Sequence, residues 1–269
     1  MKKDFFGKDI SSILNKKLFL FDMDGTIYID NKLFSGTKEL LDLITKSGGK
    51  YVFITNNSSK SVFDYIKKLQ DLGLSVNNDN FFTSTNASVL LLKEKFNDSL
   101  IYAQGTSSFI NELKNNNLNI TEEYSSDIKC AIVGFDLELT TKKLNTTCKV
   151  LTELNIPYYA TNPDWVCPVD FGFVPDCGSM CLCIEKATGK KPIFIGKPQP
   201  TMINTVIQKF SFTKEETVVF GDRIYTDIAS GVNANVDTVL VLSGECNIDD
   251  YYNSEIKPTF VINSINDLL

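Results

Sequence analysis

Asp22 and Asp24 stand two residues apart in the run Asp22-Met23-Asp24-Gly25-Thr26, where the apolar stretch 17–22 (KLFLFD) ends. Two carboxylates at i and i+2 before a glycine turn can present one aspartate to a substrate while the other reaches it from the side. The same residues are also common in ordinary strand-to-loop turns. Three further clusters follow three other apolar runs. Thr55-Asn56-Asn57 offers hydroxyl, amide and backbone N–H donors, Gly196-Lys197-Pro198 offers one ammonium, and Gly221-Asp222-Arg223 offers a carboxylate with Asp227 one helical turn further on. Each has a plainer reading: a helix N-cap for Thr-Asn-Asn and for Asp222, a solvated surface charge for Lys197. Taken together, all four lie at the carboxyl ends of apolar runs, which is where open α/β sheets bind ligands, so they are expected to converge on one crevice.

What is missing narrows the chemistry. The 269-residue chain has no histidine, so Ser-His-Asp and Cys-His pairs, histidine-ligated zinc and phosphohistidine relays are excluded. Acid–base work falls to carboxylates, lysine, tyrosine or cysteine, and any metal must be held by oxygen or thiolate, which favours a hard ion such as Mg²⁺. Arg223 is the only arginine, and the formal charge of −6 argues against a nucleic-acid or polybasic membrane footprint. No stretch approaches the length of a membrane span, and Lys8, Asp9, Lys16 and Lys17 break up any signal-like apolar run. Of the seven cysteines, Cys148, Cys167, Cys177, Cys181 and Cys183 cluster in sequence, but no CxxC occurs and Cys181 and Cys183 would point to different faces of a helix. Reduced thiols in a cytoplasmic protein are expected.

The elements that must position these groups alternate between short apolar runs and helical patterns. Runs 17–22, 50–55, 192–196, 217–222 and 238–242 read as buried parallel strands, and 37–46, 61–72, 201–210 and 227–233 as helices. Lys67 and Lys68 are expected on a solvated helix face, and 1–16 as a short helical lead-in. A second block has its own strand runs at 100–103, 129–135 and 158–160. The fold class is therefore α/β, a doubly wound, Rossmann-like parallel sheet (1–96 and 191–269) with a second, smaller α/β domain (97–190) inserted between its second and third strands.

DMDGT, TNN, GKP and GDRIYTD, in that order, resemble the four motifs of the haloacid dehalogenase superfamily. VGFDLELTTKKL, YATNPDWVCP, CIEKATGKKPIFIGKP and TVLVLSG extend the resemblance to its nagD-like branch, which includes 4-nitrophenyl, pyridoxal and phosphoglycolate phosphatases. The second aspartate of DMDGT is the one that phosphatases of this superfamily carry and its dehalogenases lack. The resemblance implies a Mg²⁺-dependent phosphatase acting on small phosphomonoesters through an aspartyl-phosphate. Asp22 is then the nucleophile and a metal ligand, and Asp24 is the acid–base that also binds metal through its carbonyl. Asp222 is the third metal ligand, and Asp227 and Arg223 support the site. Thr55, Asn56, Asn57 and Lys197 bind the phosphoryl group. The inserted block is implied to be a cap, its loop 161–168 leaning over the substrate, with Cys167, Asn162, Asp164 and Trp165 as specificity candidates.

Three departures bear on specificity: Cys167 stands where pyridoxal phosphatases carry histidine, Thr141 where many relatives have tyrosine, and Asp176 where they often have glycine. A phosphotransferase would share all the core residues. A catalytically silent, phosphometabolite-binding regulator is the other class, but such proteins usually lose the nucleophile, the metal aspartate or the lysine, and all are present here. Expected partners are a small phosphomonoester and, since similar families form cap- or core-mediated dimers, a second copy of the chain; neither nucleic acid nor membrane is expected. On this reading Cys167→Ala changes the ranking of substrates more than the rate on p-nitrophenyl phosphate. Unchanged kcat/KM ratios across a panel of metabolite phosphates would contradict it.

Overall fold

In the computed structural model, which describes residues 2–169 and 171–269, the chain forms two units. The first comprises residues 1–55, 62–82 and 197–269, and the second 56–61 and 83–196. No described helix is long and apolar enough to cross a membrane.

The first unit is built on a six-stranded sheet in the order Phe260–Ile262, Asp237–Val241, Thr217–Gly221, Leu18–Phe21, Lys50–Thr55, Phe81–Thr83. From Leu18–Phe21 the chain builds outward in one direction, then returns and builds in the other. This places the topological switch point, the usual ligand crevice of such sheets, beside the first strand. Leu18–Phe21 is buried along its whole length and pairs in parallel with both neighbours, Phe21 lying opposite Phe220 and Phe53. Phe21 and Phe220 stack at 4.6 Å, and Phe19 joins them at 6.4 Å. Helix Thr37–Lys46 presents Thr37, Leu40, Leu41 and Ile44 to this core, the i, i+3, i+4, i+7 stripe of a one-sided helix. The lead-in is a 3₁₀ turn, Ser11–Asn15, whose approach hydrogen-bonds the edge strand (Phe5 N–H to Val261 O, 2.7 Å) and buries Ile10 and Ile13.

The second unit has a five-stranded sheet in the order Ile193–Phe194, Tyr158–Ala160, Ile128–Val133, Leu100–Gln104, Ile120–Thr121, all pairs parallel. A hairpin joins Val166–Val169 to Gly172–Pro175. None of the seven cysteines is in a disulfide; Cys177 and Cys181 share the buried face of helix Cys177–Thr188 and Cys183 is exposed.

Three sequence expectations change. The 192–196 run is not a strand of the first sheet: Ile193–Phe194 pairs with Tyr159 and Ala160 at the edge of the second. An apolar tetrapeptide does not distinguish two sheets, but Pro192, which lacks an N–H, suits an edge. Lys197 therefore arrives from a connecting segment and not from a strand of the sheet it serves. The expected helix at 227–233 is a π-turn, Ile224–Ile228, followed by a short helix, Ala229–Ala234. Lys68 is half-buried and not simply a solvated charge: its ammonium sits 3.8 Å from the Tyr28 ring centroid.

Phe21→Ala is expected to cost about 3–5 kcal/mol, since it empties the centre of the aromatic stack. Urea unfolding of the two proteins measures this, and a loss below about 1 kcal/mol would place Phe21 outside the main core.

Candidate active site

Asp222, Asp22 and Thr55 follow or end three adjacent parallel strands, so the sheet itself brings them side by side. The Asp22 N–H still donates to Phe220 O (2.8 Å), which carries the ladder one residue past the strand and fixes the start of the Asp22 side chain. Asp227 comes off the π-turn. Carboxylate oxygens of Asp22, Asp222 and Asp227 all lie within 4.8 Å of one another.

Lys197 offsets part of this charge. Its buried ammonium donates to Asp22 Oδ1 (2.6 Å), Asp227 Oδ1 (2.6 Å) and Ile54 O (3.1 Å). Burial alone would lower its pKa, but the flanking Asp22 and Asp227 charges raise it above the ordinary lysine range, so the ammonium stays charged. Burial, reinforced by Asp227 and Asp222, pushes Asp22 well up although Lys197 pulls it down. Burial and Asp227 push Asp222 to about 7. Three crowded carboxylates against one ammonium call for more positive charge.

Asp222 is held ready to accept it. Its Oδ2 accepts the Glu245 N–H (2.7 Å), and its carbonyl accepts the Cys246 N–H (3.1 Å). Its Oδ1 is buried with no hydrogen-bond partner among the described residues. Such an orphaned oxygen, in a donor set made only of carboxylate oxygens, fits a hard divalent cation. The approach of loop 243–246 requires two glycines. A Cβ on Gly244 would lie 2.5 Å from Asp222 Cγ, and one on Gly25, itself at φ 80°, would lie 2.8 Å from it. Arg223 turns its guanidinium to Glu245 (Nε to Oε2, 2.7 Å), which Tyr225 also bonds (2.9 Å), so it steadies the residue whose N–H holds Asp222. Asp227 spends both oxygens within the protein, Oδ1 on Lys197 and Oδ2 on the Arg223 N–H (3.0 Å).

Asp24 lies outside this cluster. It is exposed, and its Oδ2 accepts the Tyr28 hydroxyl at 3.0 Å. Burial, then the Asp24 charge, raises the Tyr28 phenol far above its usual range, which keeps it a donor.

Other sequence candidates belong to the second unit. The Asn56 side-chain amide donates to Asp164 (3.2 and 3.3 Å), and Asn57 Oδ1 accepts from the N–H and hydroxyl of Ser59. Asn162 and Asp164 are buried in the same polar network, where Asn162 Nδ2 donates to Asp164 Oδ2 (3.1 Å) and Asp176 Oδ1 (3.0 Å). Asp176 caps helix Cys177–Thr188, which gives this departure a local role. Trp165 is about half exposed, and the partly buried Cys167 lies opposite Val174 in the hairpin. Sequence reasoning missed Tyr28 and Glu245. Glu245 was within reach, because loop 243–246 follows another strand of the same sheet; the Tyr28 contact depends on a buried ring that spacing does not reveal.

Two family models match the chain, one for haloacid dehalogenase-like hydrolases over residues 19–119 and one described as HAD-hydrolase-like over residues 194–268. Among solved structures, a 4-nitrophenylphosphatase from Thermotoga maritima is 36% identical with a TM-score of 0.90, covering 95% of this chain and 97% of its own. NagD from E. coli K-12 is 30% identical with a TM-score of 0.84, covering 94% and 98%. An acid sugar phosphatase from Staphylococcus saprophyticus is 28% identical over 95% of this chain and 97% of its own.

The raised carboxylates carry a pH signature. Asp222 and Asp22 ionise near pH 4 in the unfolded chain and well above it in the folded one, so between those values the folded state binds more protons. Metal-free stability therefore falls as pH rises. The thermal midpoint in EDTA is expected to drop from about pH 5 to about pH 8, less steeply in Asp222→Asn, and a midpoint that climbs over this window would contradict the assignment.

Proposed function

The chain belongs to the haloacid dehalogenase-like hydrolases and is a phosphoric monoester hydrolase of that family, and from this premise we propose that it cleaves small phosphomonoesters, sugar phosphates among them, through an aspartyl-phosphate on Asp22. The observation that carries the reading is the Lys197 ammonium fixed between Asp22 and Asp227 beside the orphaned Asp222 oxygen. Asp22 attacks phosphorus while Asp24 gives a proton to the departing oxygen, so the alcohol leaves neutral. Asp24 then takes a proton from water, the water oxygen attacks phosphorus, the Asp22–phosphoryl bond breaks and the carboxylate is restored. Lys197 fixes the rotation of the Asp22 carboxylate and offers positive charge to the phosphoryl oxygens, with Thr55 as a hydroxyl donor at the adjacent strand end.

Asp22 and Asp222, with the Asp24 carbonyl, would hold Mg²⁺, which when bound supplies the countercharge that lets these carboxylates share the pocket with a phosphate dianion. Asp227 is better placed as the holder of Lys197, because both of its oxygens are engaged. Asn56, Asn57 and the candidates Cys167, Asn162, Asp164 and Trp165 stay assigned to phosphate and substrate selection. For Asn162 and Asp164, buried in their mutual network, that role is to shape the loop.

Phosphate release from p-nitrophenyl phosphate and a panel of sugar phosphates, with Mg²⁺ and then with EDTA, tests the proposal. Activity is expected to vanish with EDTA and to fall at least ~10³-fold in Asp22→Asn, whose unfolding transition stays cooperative. An Asp22→Asn enzyme within about tenfold of wild type would sink it.

A further inference from the structure

The two catalytic carboxylates are held in unlike ways. Asp22 is locked in a buried ion network, whereas Asp24 is exposed, on a loop, and its one side-chain hydrogen bond among the described residues comes from Tyr28. An exposed aspartate without a fixed partner samples several rotamers, and a proton donor in the wrong rotamer does no work. Tyr28 is the opposite kind of group. It is fully buried, and its backbone is tied to the catalytic loop itself, its carbonyl accepting from the Gly25 N–H (2.8 Å) and its N–H donating to Met23 O (3.4 Å). It also starts a short hairpin in which Tyr28 pairs with Leu33. The Lys68 ammonium rests 3.8 Å from the ring centroid, a cation–π contact that helps hold the ring in place.

We propose that Tyr28 is a positioning residue for acid–base catalysis: its hydroxyl holds Asp24 Oδ2, and so sets the orientation from which Asp24 delivers its proton to the leaving oxygen. The inference rests on the assignment of Asp24 as the acid–base, and its test separates the two. An alkoxide needs a proton as it departs, whereas p-nitrophenolate leaves well without one. A defect in proton delivery therefore falls on alkyl phosphates and largely spares p-nitrophenyl phosphate in kcat/KM, which reports the first phosphoryl transfer.

The experiment compares kcat/KM for glucose 6-phosphate and p-nitrophenyl phosphate in wild type, Tyr28→Phe and Asp24→Asn, each assayed on one preparation so that the ratio of the two values cancels any loss of folded enzyme. For Tyr28→Phe the alkyl-to-aryl ratio is expected to fall about tenfold, and for Asp24→Asn further, within the ~10²–10⁴-fold range of general acid catalysis. If Asp24→Asn lowers the ratio and Tyr28→Phe leaves it at the wild-type value, Tyr28 is structural and the proposal is overturned. If Asp24→Asn itself leaves the ratio unchanged, the acid–base assignment fails and takes the proposal with it.

Discussion

The site depends on one buried ion network, the Lys197 ammonium clamped between Asp22 and Asp227 at 2.6 Å on each side. Removing one partner of such a network leaves an uncompensated charge in the interior, at a cost of about 3–5 kcal/mol. The surroundings are organised to keep it whole. The central strand carries Asp22 to the switch point, the neighbouring strand offers the Ile54 carbonyl as a third acceptor, and the π-turn turns Asp227 inward. The network is still short of positive charge, because Asp222 joins the same cluster with no basic residue on its buried oxygen. Burial first, and then the neighbouring carboxylates, lift the Asp22 and Asp222 pKa values, and a divalent cation would relieve that excess of negative charge.

The absence of histidine is compatible with this arrangement. On the proposed mechanism a lysine and a cation supply countercharge, one aspartate is the nucleophile and another the acid–base, and that scheme requires no imidazole. The single arginine is used one step back from the chemistry, steadying Glu245, whose backbone N–H in turn fixes Asp222. Two glycines make this possible by letting loops 22–26 and 243–246 approach the Asp222 carboxyl more closely than any side chain would allow.

Much of this was legible in the sequence because it depends on order along a strand. Asp22, Thr55 and Asp222 each sit at a fixed place relative to a buried run of Val, Ile, Leu and Phe, and parallel register converts that place into proximity. What escaped depends on contacts that spacing does not encode. Ile193–Phe194 looks like any buried strand, and only tertiary pairing assigns it to the second sheet. Asn56 and Asn57 read as extensions of Thr55, yet the contacts of 56–61 place them in the other unit, where the Asn56 amide meets a carboxylate 108 residues away. Lys68 read as a solvated charge because helix periodicity says which face a residue occupies, not whether an aromatic ring lies beneath it.

The central claim is that Asp22 becomes covalently phosphorylated during turnover. Enzyme quenched in the steady state can be reduced with borohydride, which converts an aspartyl-phosphate to homoserine, and then digested for peptide mass spectrometry. The account predicts homoserine at position 22, appearing only in the presence of substrate. Homoserine at another aspartate, or none under conditions in which the intermediate accumulates, would contradict it.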